Sequence, residues 1–206
     1  MIKRILLLVL LLILGITGYY IYMFTRGGNG NNGPKQLPLA LKKHSTAFNQ
    51  SIANVMAAYF DMKNAFVEAD TSTAKIACKK FMYMLDSMPL TEMSKDTLLV
   101  EETVKKNIED LKSNATSLLL QTEIIEMRQD FRALSELLYP TFFISINYEG
   151  PVLYWQNCPM AFGEGKEANW ISSTVEVINP YLGKKDPTYG DGMLHCGEIK
   201  DTIKAK

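Results

Sequence analysis

Histidine is scarce in this chain, with two among 206 residues, and the catalytic signatures that would use it are missing as well. There is no Gly-x-Ser-x-Gly elbow, no His-Glu-x-x-His helix, no phosphate-cradling glycine loop and no dinucleotide fingerprint, so the common hydrolytic and nucleotide-dependent chemistries have nothing to be built from. His44 stands at the start of the first expected helix with no partner evident in the sequence. The acidic residues are scattered over helix faces as solubilising charge, and the chain reads as a non-enzyme. Charge of one sign is lacking too: 22 basic and 22 acidic residues cancel. That removes the electrostatic footprint of a nucleic-acid binder. Of the three cysteines none forms a Cys-x-x-Cys pair, which excludes a zinc ribbon or finger.

What the sequence does have is one long apolar run. Ile5 to Phe24 carries no charge over about 20 residues, which at ~1.5 Å per residue matches a hydrocarbon core of ~30 Å. Lys3 and Arg4 precede it and only Arg26 closely follows, so the positive-inside bias puts the N-terminus in the cytoplasm and the remainder outside. Tyr19, Tyr20 and Tyr22 suit an interfacial belt. A cleaved signal peptide would have a shorter apolar core and a small-x-small site, and neither is found, so residues 1–26 are expected to be an uncleaved transmembrane anchor. Residues 27–35, rich in Gly and Asn, have nothing to bury and read as a flexible tether. The extracytoplasmic domain is expected over residues 36–206.

That domain opens with helical periodicity. Phe48, Ile52, Val55, Tyr59, Met62 and Phe66 recur at three- and four-residue steps, the stripe of a helix that buries one face. Asp70 or Thr71 is placed to cap a second helix with Ala74, Cys78, Phe81, Leu85 and Met88 on its stripe, ended by Pro89. A third stripe runs through Val104, Ile108, Leu111, Ala115 and Leu118, and a fourth through Ile124, Met127, Phe131, Leu134 and Leu138 to Pro140. The stripes are short and broken by turns, which favours antiparallel packing within one chain over a coiled coil. The fold class expected is mainly α: a four-helix bundle with a small loop-rich, β-containing C-terminal cap over residues 141–206, where Phe142, Phe143, Ile144 and Ile146 and then the run Val152–Gln156 take over.

Chemistry concentrates in the cap. Cys158-Pro159-Met160 and Met193-Leu194-His195-Cys196 each place a methionine within three residues of a cysteine, and the second adds an imidazole. A fold that joins them would collect two thiolates, up to two thioethers and a histidine, a soft set that favours Cu(I) over hard cations. The same residues also admit a disulfide, which would close a loop of about forty residues and contribute ~3–4 kcal/mol in an oxidising compartment, or two unrelated thiols. Cys78, on an apolar stripe, reads as a small core residue. Trp155, Trp170 and Tyr181 read as cap core or as an aromatic wall beside a metal, and Arg128 as a solvated flank or the partner of a carboxylate.

The ordered series Cys158-Pro159-Met160-Ala161, Trp170-Ile171-Ser172, Ile178-Asn179-Pro180-Tyr181-Leu182-Gly183 and Met193-Leu194-His195-Cys196-Gly197 resembles the C-terminal signature of the domain of unknown function 3347 family. Two helical segments resemble that family as well, Tyr59 to Val67 and Arg128 to Ser135, so the likeness extends from about Phe48 to Ile203. One departure is the segment Lys184–Gly192, longer than the family's spacer. The resemblance implies an exported or membrane-attached domain related to modules fused to periplasmic adaptors of copper and other heavy-metal efflux pumps. With it, the expected site is Cys158, Met160, Met193 and Cys196, with His195 replacing one methionine. The cargo expected is Cu(I), captured or handed over, and the expected partners are heavy-metal efflux or envelope proteins. The alternative is a disulfide-stapled interaction module of an envelope complex that carries no metal.

Overall fold

The computed structural model describes Gly15, residues 43–95 and residues 98–205. Apart from Gly15, the expected membrane anchor and the Gly/Asn tether lie outside these residues. Among the described residues no helix is long and apolar enough to cross a membrane.

Helix α1 spans Thr46–Val67 and begins where the Ser45 hydroxyl accepts the Phe48 N–H at 3.1 Å, satisfying one of the open donors of the first turn. It ends in a tight reversal: Ala69 adopts a positive φ of 54°, and the Asp70 carboxylate then accepts the Thr73 N–H at 2.9 Å to start α2, Thr71–Asp86. Of the two expected cap residues, Asp70 is the one used. A 3₁₀ segment, Leu90–Lys95, follows Pro89 and buries Met93. Helix α3 covers Leu98–Leu120 and α4 Ile124–Glu136. The four stripes anticipated from periodicity form a single apolar core, with every stripe residue buried except Ile124, which is partly buried against it.

The fourth helix departs from expectation at its end. A π-helical turn, Leu137–Phe142, carries the chain past a cis Tyr139–Pro140 bond and into the short helix α5, Phe143–Ser145. Tyr139 leaves the helical region, so the proline does break the helix, but the chain then resumes helical geometry. Phe142, Phe143 and Ile146 are buried in the helical core. Their spacing of one and then three residues suits a helix face as well as a buried strand, and the shared core decides between them.

The C-terminal sheet has three strands, β1 Leu153–Cys158, β2 Ala168–Ser172 and β3 Glu198–Ile203, in the order β2-β1-β3 and antiparallel throughout. The β1–β2 register pairs Tyr154 with Ser172 and Cys158 with Ala168. The β1–β3 register shifts between Trp155 and Gln156, so that Asn157 meets Glu198. The outer edge of β2 is not open. The Ile171 N–H donates to the Tyr59 hydroxyl of α1 at 3.0 Å, and the Tyr181 hydroxyl donates to the Asn169 carbonyl. Two buried phenols thus take the hydrogen-bonding groups that an edge strand would otherwise present to another chain.

Candidate functional site

The long connection from β2 to β3 returns the second cysteine to the first. Cys158 is the last residue of β1 and is fully buried, while Cys196 sits two residues before β3 and is partly exposed. Since β3 lies beside β1, the two sulfurs meet at 3.3 Å. That is longer than the ~2.05 Å of a disulfide and shorter than the ~3.8 Å separating two thiolates on a tetrahedral metal with ~2.3 Å bonds.

Asn179 holds the Cys196 segment in place. Its Oδ1 accepts the Tyr181 and Leu182 N–H groups at 2.8 and 3.2 Å, an Asx turn, while its Nδ2 donates to the Cys196 carbonyl at 2.9 Å. Its backbone N–H donates to the Leu194 carbonyl at 2.8 Å. Fully buried, Asn179 ties the Asn-Pro-Tyr turn to the cysteine loop. The turn itself is seated on the helices. Gly183 has φ +61°, and a Cβ there would meet the Val67 carbonyl at 2.7 Å, so this close approach needs glycine. The Lys184 N–H donates to that same carbonyl at 2.8 Å.

Burial pushes the Cys196 thiol up to about 11, and the hydrogen bond and charge of Cys158 act in the same direction. Cys196 is therefore a thiol at neutral pH, and any metal that takes it must expel a proton. The His195 Nδ1–H donates to the Val177 carbonyl at 2.8 Å, which leaves Nε2 as the free acceptor of an exposed imidazole. Such a backbone bond is the usual way a ligating histidine is oriented. Among the described residues, however, no group of three or more His, Cys, Asp or Glu side chains is close enough to hold a metal, so His195 does not complete a three-ligand cluster with the cysteines.

Met193 is half-buried against the core, and its carbonyl accepts the Cys196 N–H at 3.0 Å. Met160 is also half-buried and lines a groove with Ile124, Phe162 and Tyr181, a lining that includes neither cysteine nor Met193. Trp170 and Tyr181 are buried core, packed edge to face at 5.9 Å. The Trp170 ring reaches toward Gly197, the neighbour of Cys196, and its indole N–H has no partner among the described residues. Trp155 is elsewhere, against Tyr139. Cys78 donates to the Ala115 carbonyl at 3.4 Å inside the helical core, where burial pushes its thiol up to about 12. It is inert, as its stripe position indicated.

Two residues have partners that the sequence did not indicate, Arg128 near the cap and His44 at the start of α1. Arg128 is buried: its Nη2 donates to the Phe66 carbonyl at 2.9 Å near the C-terminus of α1, beside Gly183. Burial lowers its guanidinium to about 10, with Asp186 opposing. The available signals were its place next to Met127 on α4 and at the head of the family-like segment Arg128 to Ser135. His44, expected to be unpartnered, meets the Ile146 carbonyl through Nε2 and approaches Glu92 at 3.6 Å.

Residues 55–147 match the model of a family described as protein of unknown function (DUF3347). The match covers most of α1 and continues through α5, and stops before the cap that carries the cysteines. No curated protein and no solved structure matches the chain.

Proposed function

We propose that this chain, whose residues 55–147 match the DUF3347 family model, is a membrane-anchored, extracytoplasmic protein whose cap captures Cu(I) as cargo and passes it on. In this reading residues 1–26 are the anchor, and the helices form a four-helix bundle that carries the cap. The supporting observation is the pair of thiols, Cys158 and Cys196, at 3.3 Å. Two thiolates at one mouth are a soft donor set, and Cys196 is accessible enough to exchange its metal with a partner. Met193 and Met160 lie on the same two segments as the cysteines and supply thioethers after a local rearrangement, with His195 Nε2 as the other donor. The likeness of the cap motifs to modules of heavy-metal efflux adaptors points to pump or envelope proteins as recipients.

The same 3.3 Å approach favours a second reading. Oxidation would join the pair and leave a stapled interaction module without metal. The purified full chain, reduced and kept anaerobic, is to be titrated with Cu(I) against a Cu(I)-selective chelator. One equivalent retained by the parent and released by both Cys158→Ser and Cys196→Ser supports capture. Equal retention by parent and variants refutes it. Thiol labelling before reduction separates the readings further, since one reactive thiol on unfolding before reduction and three after it identify the staple.

A further inference from the structure

A groove of about 430 Å³ opens between the start of α4, the loop after Cys158 and the segment that lengthens the Asn-Pro-Tyr connection. Its walls are largely apolar: Ile124, Ile125, Met160, Phe162, Tyr181 and Tyr189. Ile125 and Tyr189 are exposed large hydrophobics, which gives their presence there no folding rationale. Its charge, by contrast, is cationic. Arg128, Lys166 and Lys185 line it against a single carboxylate, Asp186, whose Oδ1 is already taken by the Thr188 and Tyr189 N–H groups at 2.9 and 3.0 Å.

Arg128 is the residue that points to a ligand. It is 3% exposed, its Nη2 is committed to the Phe66 carbonyl, and its Nε has no partner among the described residues. A buried cationic N–H without an acceptor carries an uncompensated desolvation cost. The 13-residue helix α4 adds to it: its N-cap residue Glu123 makes no side-chain cap bond, so the first-turn N–H groups at Ile124 and Ile125 are open to an outside acceptor. A guanidinium edge suits the two oxygens of a carboxylate, and the volume and walls suit an apolar body of modest size.

We propose that this groove binds a small amphipathic carboxylate, its carboxylate on Arg128 and its apolar body against Met160, Phe162 and Tyr189. The groove contains neither thiol of the pair and shares only Met160 with the donors proposed for the metal, so its carboxylate site on Arg128 does not depend on the cysteines.

The purified full chain is to be titrated with 4-phenylbutyrate and with the neutral 4-phenylbutyramide, following ligand signals by saturation-transfer NMR. The expected result is binding of the acid in the millimolar range or tighter, with the amide at least ~10-fold weaker because it cannot pair with the guanidinium. Ile125→Glu, on an exposed lining position that the fold does not need, is expected to weaken the acid by at least ~10-fold by placing a like charge in the groove. Arg128→Lys is expected to do the same, and should it fail to fold, Ile125→Glu carries the test. Equal binding of acid and amide, no binding of the acid, or unchanged binding by Ile125→Glu would each overturn the proposal.

Discussion

Tyr59 and Ile171 join the helices to the sheet through one hydrogen bond, with the Ile171 N–H donating to the Tyr59 hydroxyl at 3.0 Å. The donors downstream are then determined. The Ser135 hydroxyl donates to the Phe131 carbonyl at 2.9 Å, so it accepts from Tyr59, 2.7 Å away. The relay links β2, α1 and α4 with each hydroxyl both giving and accepting, in a fully buried place where a missing partner would be costly.

Tyr59→Phe is expected to destabilise the chain by ~1–3 kcal/mol, because the Ile171 N–H is left buried without an acceptor while the ring packing is kept. Denaturant unfolding of the variant measures it. A change under ~0.5 kcal/mol would mean that water reaches the edge of β2.

Phe131→Ala removes the ring that stacks on Tyr59 and tilts against Phe66, each at 5.1 Å, from a site with no solvent exposure. The expected loss is ~3–5 kcal/mol, from lost transfer energy and the cavity left between α1 and α4. The midpoint of urea unfolding reports it, with an unchanged slope if the unfolded state is unaffected.

Gly183→Ala tests how the cap is seated. The left-handed backbone and the collision with the Val67 carbonyl act together, and the expected cost is ~2–3 kcal/mol. Hydrogen exchange should show faster opening of the cysteine loop, because the Asn179 turn is fixed at this point. Uniform protection in the variant would separate the turn from the helices.

Under the proposed capture of Cu(I), metal affinity should climb with pH. The Cys196 thiol is raised to about 11, and only its thiolate binds, so each bound ion expels at least one proton below that pH. Lower pH favours the protonated free form, and the apparent Cu(I) affinity is expected to rise at least ~10-fold per unit between pH 6 and 8. Competition with a chelator of known pH behaviour measures the slope, and a flat profile would remove Cys196 from the ligand set.

Helical periodicity was written in the sequence because burial of one face imposes it locally: the stripes from Phe48 to Leu138 lie in the core, and Asp70 caps α2 as its side chain dictates. The resemblance that residues 55–147 bear to the DUF3347 family model was legible for the same reason, since that stretch holds most of those stripes.

Tertiary structure decided the rest, where a residue's role depends on a partner far along the chain. Nothing near Arg128 in sequence indicates the Phe66 carbonyl that buries it, and nothing near Phe142 and Phe143 distinguishes a resumed helix from a strand until a shared core accepts them. Cys158 and Cys196 were each visible as soft groups, but their meeting at 3.3 Å follows from β3 pairing beside β1 across 38 residues. Local side-chain patterns state which face is apolar and which groups can cap. Only the packed chain states which carbonyl, thiol or ring stands opposite, because that is set by long-range pairing and not by neighbours in sequence.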